Sequence, residues 1–135
     1  MTIILIIEED LGFLFWLGQA LTSPDLNPLP ARSVLQAQNL IRRFKVGVDL
    51  VIASPELPRM VDYARHLRKQ RPQLGLIAAL GYASNPDVVP AEFDAGRPKP
   101  NVRDGAEEEA WRQLVRRVLS NKTNGSLRRA TGQNH

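Results

Sequence analysis

The segment TIILIIEED, residues 2–10, decides the fold because an apolar run ends there abruptly at three consecutive carboxylates. A continuous run of β-branched and leucine residues is typical of a strand that is buried on both faces of a parallel sheet. Glu8, Glu9 and Asp10 mark the end of this strand, and Asp10 is placed to cap the helix that follows.

The remaining chain repeats this alternation of strand and helix. Buried strands are predicted at VDLVIA (residues 48–53) and LGLIAAL (residues 74–80), with weaker strands at residues 29–32 and ending at residues 97–100. Amphipathic helices are predicted over Leu11–Leu21, Val34–Phe44, and residues 59–70 and 106–119. Ser33 is placed to cap the second of these helices and Asp104, with Glu107, the last. This pattern indicates an open α/β sheet covered on both faces, with any ligand at the carboxyl ends of the strands. Residues 81–96 leave room for a short helix at most.

The amino-acid composition excludes several kinds of functional site. A chain of 135 residues is about one domain, and 43% hydrophobic with 24% charged residues is an ordinary globular balance. The absence of cysteine excludes disulfides, thiolate metal sites and cysteine nucleophiles, and it favours a cytoplasmic location. With only two histidines, His66 and His135, a multi-histidine metal site is excluded as well.

The net charge of +4 is concentrated at the end of the chain. Residues 121–135 contain Lys122, Arg128 and Arg129 and no acid, which leaves fifteen basic against fourteen acidic residues before them. We therefore predict a domain at residues 1–120 and a flexible polar and basic tail at residues 121–135. This distribution argues against nucleic-acid binding, and the sequence contains no targeting signal or membrane-spanning segment.

Charged and polar residues follow the predicted strands at one edge of the sheet. An acidic cluster that faces a lysine fits a pocket for a divalent cation and a phosphoryl group. The alternative is that Asp10 merely caps a helix and the glutamates lie at a solvated rim, and composition alone leaves both open. The charged and polar residues are Glu8, Glu9 and Asp10 after the first strand, Ser54 and Glu56 after the third, and Lys99 after the fifth, while the fourth strand ends at the apolar Leu80.

Three motifs in this order resemble the receiver domain of bacterial two-component response regulators: ILIIEED (residues 4–10), DLVIASPELPRM (residues 49–60) and Lys99-Pro100 before a final amphipathic helix. The resemblance covers about residues 2–119. It implies a flavodoxin-like three-layer sandwich with a five-stranded parallel sheet of order 2-1-3-4-5, here with a degenerate fourth helix and fifth strand. It also implies a phosphoryl group accepted from a histidine kinase by an aspartate, with Mg²⁺ bound.

The resemblance places four residues on the family's pocket. Glu8 and Glu9 match the acidic pair that holds the metal, and Glu56 matches the position whose backbone carbonyl is a metal ligand. Lys99 matches the lysine that contacts the phosphoryl group, and the Lys99–Pro100 bond is then expected to be cis.

Two residues depart from the family's pattern. Ser54 stands at the phosphoacceptor position, and its hydroxyl is neutral and has no neighbouring histidine to activate it. Leu80 stands at the switch position and has no hydroxyl to bond a phosphoryl oxygen. We therefore expect a pseudo-receiver without phosphoryl transfer or cofactor, with at most a weak Mg²⁺ site at Glu8 and Glu9. Lys99 is then expected to form a standing ion pair with Glu8, Glu9 or Glu56.

Partner contacts are expected from aromatic and apolar residues on the first and last predicted helices. Phe13 and Trp16 on the first, and Trp111 and Val115 on the last, are the candidates for a partner surface. The partner would be a protein, such as a histidine kinase or an output protein, and a homodimer is left open.

The sequence thus predicts a two-component signal transduction module that is not an enzyme and acts by protein contact without phosphorylation. One alternative is a working receiver that binds Mg²⁺ and is phosphorylated at a non-standard residue. Another is a small adaptor that binds nucleic acid through its basic tail. A nucleotide-binding domain is disfavoured because no glycine-rich loop follows the first strand.

Overall fold

The structure, a computed structural model, describes residues 1–45, 47–82, 84, 85 and 88–130. Five strands and four helices follow one another as β1 (Thr2–Ile7), α1 (Leu11–Leu21), β2 (Leu26–Ala31), α2 (Val34–Phe44), β3 (Leu50–Ala53), α3 (Met60–Gln70), β4 (Gly75–Leu80), β5 (Ala95–Pro98) and α4 (Gly105–Ala130). All strand pairs are parallel and the order is β2-β1-β3-β4-β5, which confirms the predicted fold class.

The alternating side chains of the sheet bury two separate cores. Ile4 and Ile6 of β1 pack with α1 and α4 on one face, whereas Leu5 and Ile7 pack with α2 and α3 on the other. Burial on both faces is the reason that the central strands read as continuous apolar runs. The helices are thus paired, α1 with α4 and α2 with α3, on opposite sides of the sheet.

Prolines mark both edge strands. Pro28 and Pro30 lie in β2, which begins earlier than the predicted residue 29, and Pro98 ends β5. A parallel ladder tolerates proline only where the missing N–H faces away from the partner strand. Each edge therefore lacks a hydrogen-bond donor that a further strand would need.

Polar side chains cap three of the helices. Asp10, Ser33 and Asp104 each accept a hydrogen bond from the backbone N–H three residues further on, at 3.2, 3.1 and 3.0 Å. These caps are the ones that the sequence predicts. α3 instead begins after Arg59, which has a left-handed φ of 67° and no side-chain capping bond.

Two regions of the chain differ from the expected receiver pattern. The described residues between β4 and β5 form no helix. α4 continues to Ala130, past the predicted end at residue 119 and into the segment predicted as a tail. Residues 131–135 of that tail lie outside the described residues, and the division at residue 120 stays a prediction. Over the residues described, none of the helices combines the length and hydrophobicity that a bilayer crossing demands.

Candidate functional site

The sheet register brings the carboxyl ends of β1, β3, β4 and β5 to one edge. The backbone N–H of Ser54 donates to Ile7 at 3.2 Å, and that of Lys99 donates to Leu80 at 2.9 Å. These two bonds extend the ladders by one residue beyond the strands. Glu8, Ser54 and Lys99, which lie far apart in the sequence, therefore begin the loops of the same edge.

A buried ion pair occupies this edge. Lys99 Nζ lies 2.7 Å from Glu8 Oε1, which makes the contact an ion pair. The angles at the two atoms are not those of a hydrogen bond. The side chain of Glu8 is 1% exposed and that of Lys99 is 11% exposed. Glu8 Oε2 accepts a hydrogen bond from the Asp10 backbone N–H at 3.0 Å. Both carboxylate oxygens of Glu8 are therefore engaged.

Two aromatic rings flank the Lys99 ammonium. Lys99 Nζ lies 5.9 Å from the centroid of Phe13 and 5.8 Å from that of Tyr82. These distances are within the range of cation–π attraction. The ammonium is thus surrounded by a carboxylate and two rings, which agrees with the predicted standing ion pair and selects Glu8 as its carboxylate.

A second polar network closes the outer side of this pocket. The Tyr82 hydroxyl donates to Asp10 Oδ2 at 2.6 Å and accepts from Arg103 Nη2 at 2.9 Å. The hydrogen bond from Tyr82 is the main cause that lowers the pKa of Asp10, and the same bond raises the pKa of Tyr82. Arg103 lies directly over the first turn of α1, since a Cβ on Gly12 would approach its Nη1 to 2.8 Å. The network joins β1, β4 and β5 through the loops that follow them.

Glu9 and Glu56 do not enter this arrangement. Both residues are exposed, whereas Glu8 is buried. Within the described residues, no three His, Cys, Asp or Glu side chains come close enough together to hold a metal ion. The predicted acidic pocket of Glu8, Glu9 and Glu56 therefore reduces to Glu8 alone, because the loops direct the other two side chains to solvent.

Ser54 and Leu80, the two departures from the family's pattern, are both buried to 7% exposure. Leu80 belongs to the core on the α2 and α3 side of the sheet. The Lys99–Pro100 bond is trans, so the cis bond that the resemblance implies is wrong.

Most of the predicted partner surface lies inside the molecule. Phe13, Trp111 and Val115 are fully buried, and Phe13 and Trp111 contact each other edge to face with centroids 5.5 Å apart. Trp16 is partly buried against the same core. The prediction is wrong for the three buried residues because α1 packs on both the sheet and α4, which widens its apolar stripe. The exposed aromatic residue of α1 is Phe15.

Sequence reasoning missed Tyr82 and Arg103. Tyr82 meets Asp10 across 72 positions in the sequence, and Arg103 meets Tyr82 across 21. Both residues lie in loops without periodicity, so no local pattern predicts their positions. The available signal was an aromatic residue two positions after a buried strand, at the edge where ligands bind in open α/β sheets.

Known structures share this architecture. No protein-family model matches the sequence, and no curated protein matches it. A CheY-like response regulator receiver domain protein from Methanospirillum hungatei JF-1 is 22% identical, over 93% of this chain and 98% of that chain, with a TM-score of 0.72. The signal receiver domain of an HD domain-containing protein from Pseudomonas fluorescens Pf-5 is 23% identical, over 94% and 93% of the two chains, with a TM-score of 0.70.

A third similar structure was solved in complex with Mg²⁺-BeF. It is a response regulator protein from Thermotoga maritima, 21% identical over 87% of this chain and 99% of that chain, with a TM-score of 0.63. In all three comparisons nearly the whole of the other chain is matched. Together with the strand order and the charged carboxyl edge, these similarities show that the chain has the fold of response regulator receiver domains.

Proposed function

We propose that this protein is a receiver-like signalling module of the two-component type that acts by protein contact and transfers no phosphoryl group. The observation that carries the proposal is the buried Glu8–Lys99 ion pair, with its 2.7 Å separation and its flanking rings. In the receiver family the corresponding lysine contacts the phosphoryl group. Here its charge is already neutralised by a carboxylate of the protein itself.

The residue at the phosphoacceptor position supports this proposal. A serine hydroxyl is a weak nucleophile unless a neighbouring base removes its proton. His66 is exposed on α3 and lines a groove with residues of α2 that does not include Ser54, while His135 lies outside the described residues. Ser54 therefore has no histidine beside it in the part of the chain that is described.

The donor set at this edge does not fit a magnesium ion. Mg²⁺ is usually held by one or two carboxylates in octahedral geometry. Glu8 is engaged by Lys99 and by the Asp10 N–H, Ser54 offers a neutral hydroxyl, and Glu9 is exposed. Binding the ion would require Glu8 to leave a buried lysine without its counter-ion, which is strongly unfavourable.

The missing switch hydroxyl supports the same conclusion. Leu80 is packed in the apolar core, so it offers no donor to a phosphoryl oxygen and has little freedom to reorient. We infer that the loops at the carboxyl edge stay in one state, held by Glu8–Lys99 and by Asp10–Tyr82–Arg103. The effect of the protein then passes through a surface contact with a kinase, an output protein or another member of the pathway. A cytoplasmic location and the absence of enzymatic activity are part of this proposal.

Labelling with a radioactive small-molecule phosphodonor tests the proposal. We expect no label on the full chain in the presence of Mg²⁺, and the Ser54→Ala variant serves as the matched control. Label that disappears in Ser54→Ala would make Ser54 an acceptor. Label that persists in Ser54→Ala would identify a working receiver that uses another residue, and either result would overturn the proposal.

A further inference from the structure

The face formed by α2 and α3 bears an excess of unpaired positive charge. Six exposed cations at the ends of these helices make no ion pair within the described residues: Arg32, Arg42, Arg43, Lys45, Arg59 and Lys69. Other cations of α3 are neutralised, because Arg65 pairs with Asp62 and Glu92, and Arg68 pairs with Asp94. Most of the exposed cations that lack an ion pair within the described residues therefore lie on this face, although residues 1–120 are almost neutral as a whole.

A groove of about 600 Å³ runs between the beginnings of the two helices. Apolar side chains of the helices and of the turn before α3 line it, including Val34, Leu35 and Leu57, and the polar lining includes Arg59, Asp62 and His66. Leu35 is 64% exposed, and Phe44 at the far end of α2 is 56% exposed. The α2–α3 face thus has an apolar groove at the beginnings of the two helices, beside Arg59, and further exposed cations toward the helix ends.

Two of the six cations lie in an unfavourable backbone conformation. Lys45 has φ 51° and Arg59 has φ 67°, and these are the non-glycine residues with positive φ in the described chain. A left-handed conformation disfavours any side chain with a Cβ, and glycine is the usual residue where such a conformation ends a helix, as at Lys45. The chain bears a cation at both positions, which suggests that the charge itself is useful there.

The observations favour an acidic and amphipathic protein segment as the occupant. A second copy of this chain does not fit, because its exposed acids outside ion pairs and helix caps are Glu9 and Glu56 within the described residues, which form no acidic face. A nucleic acid fits less well, because the groove is lined largely by apolar side chains, which offer phosphates no partner. Apolar anchors with acidic flanks match the groove and the exposed cations along the same two helices.

We propose that the α2–α3 face binds an acidic amphipathic segment of a partner protein, which lies along the two helices with apolar side chains in the groove and carboxylates on the exposed cations of the same face. This inference rests on the proposed role in protein contact, to which it adds the surface and the chemistry of the partner. It is independent of the pocket at Glu8 and Lys99.

Titration of the ¹⁵N-labelled full chain with two synthetic peptides tests the inference. The first peptide has leucines at i, i+3, i+4 and i+7 with glutamates elsewhere, and the second has the same composition in an order without an apolar stripe. We expect the first to shift the amide signals of groove residues on α2 and α3 to saturation. The second should bind at least about tenfold more weakly, and affinity for the first should fall with added salt.

Charge-reversal variants locate the site. Arg42→Glu and Lys69→Glu should weaken binding of the striped peptide severalfold, whereas Arg117→Glu should leave it nearly unchanged. Arg117 is the matched control because it is exposed on α4, on the other side of the sheet, and has no ion pair within the described residues. Lys45→Gly and Arg59→Gly should weaken binding while the melting temperature stays the same or rises.

Three results would overturn the inference: equal affinity for the two peptides, shifts confined to another surface, or equal weakening by Arg117→Glu. Tighter binding of an oligothymidylate of matched charge would make the face a nucleic-acid site instead. None of these results bears on phosphoryl transfer, and labelling of the chain by a phosphodonor would leave the peptide result intact. The two proposals therefore fail separately.

Discussion

The charges of the Glu8–Lys99 pocket are buried and paired, whereas many of those on the α2–α3 face are exposed and form no ion pair within the described residues. In the pocket a cation and an anion are buried together, with every oxygen of Glu8 engaged. On the face six cations remain exposed without an ion pair in the described chain. A buried charge must be paired to be tolerated, whereas an exposed charge is stabilised by water and stays available for a partner. Removing one partner of the buried pair is therefore expected to destabilise the fold, whereas the exposed charges of the α2–α3 face stay available for the contact that we propose.

The largest effect is expected from breaking the buried pair. Lys99→Met should lower the free energy of unfolding by about 3–5 kcal/mol, because it leaves the Glu8 carboxylate buried without a counter-ion. Urea denaturation measures this difference. The double variant Glu8→Gln/Lys99→Met should be more stable than Lys99→Met alone, since no buried charge remains. A loss below about 1 kcal/mol in Lys99→Met would mean that the pair behaves as a surface salt bridge.

A smaller loss is expected from the Tyr82 hydroxyl. Tyr82→Phe removes one hydrogen bond to a charged group and should lower the free energy of unfolding by about 1–2 kcal/mol at neutral pH. Since Tyr82 is 44% exposed, solvent screening places the value at the lower end of that range.

The difference between wild type and Tyr82→Phe should depend on pH. The pKa of Asp10 is lowered in the folded protein, so its contribution is present above the ordinary carboxyl pKa of about 4 and is lost as the pH falls through the folded value. The pKa of Tyr82 is raised, so its contribution is present below about pH 10 and is lost as the pH rises through the folded value. Unfolding curves between these limits should show a constant difference, and a difference that grows in acid would contradict the assignment.

A gain in stability is expected from replacing Lys45, a residue of the α2–α3 face, by glycine. Lys45→Gly should raise the free energy of unfolding by about 0.5 kcal/mol, because relief of the left-handed backbone outweighs the extra freedom of glycine in the unfolded chain. Thermal denaturation measures the gain. Lys69→Gly is the control, since it places glycine inside a helix and should destabilise the protein. A loss of stability in Lys45→Gly would mean that the side chain makes a stabilising contact.

The smallest effect on stability is expected from Arg42. Arg42→Glu should lower the free energy of unfolding by no more than about 0.5 kcal/mol in physiological salt, because the side chain is exposed and has no ion pair in the described chain, and salt screens the charge that it reverses in the last turn of α2. A loss of several kcal/mol in Lys99→Met beside a small change in Arg42→Glu would show that the fold depends on the buried pair and not on the exposed cations. A large loss in Arg42→Glu, measured by the same urea denaturation, would show that the face is needed for folding.

Local patterns predicted the elements of the fold because strands and helices depend on short-range periodicity. The bounds of α1 and α2 agree with the prediction, and the apolar runs of β1, β3 and β4 place the central strands within two residues. The beginnings of α1, α2 and α4 could also be predicted, because the caps Asp10, Ser33 and Asp104 each act over only three residues.

Contacts between distant segments could not be read from periodicity. The faces on which α1 and α4 meet depend on how the two helices pack. Periodicity therefore predicts a partner surface at Phe13, Trp111 and Val115, whereas all three residues are buried. The Tyr82–Asp10 bond depends on the path of an irregular loop. The resemblance brought Glu8 and Lys99 to one pocket, but only the structure shows that they neutralise each other.

Titration of the ¹⁵N-labelled chain with Mg²⁺ and beryllofluoride, a mimic of the bound phosphoryl group, tests the closed pocket most directly. A receiver that binds Mg²⁺-BeF, as the Thermotoga maritima response regulator does, is the positive control. We predict that the amide signals of Glu8, Ser54 and Lys99 stay unchanged at concentrations that saturate the control. Saturable shifts at those three residues would show that Lys99 can leave Glu8 for a phosphoryl group, and would contradict the account of a pocket closed by its own charges.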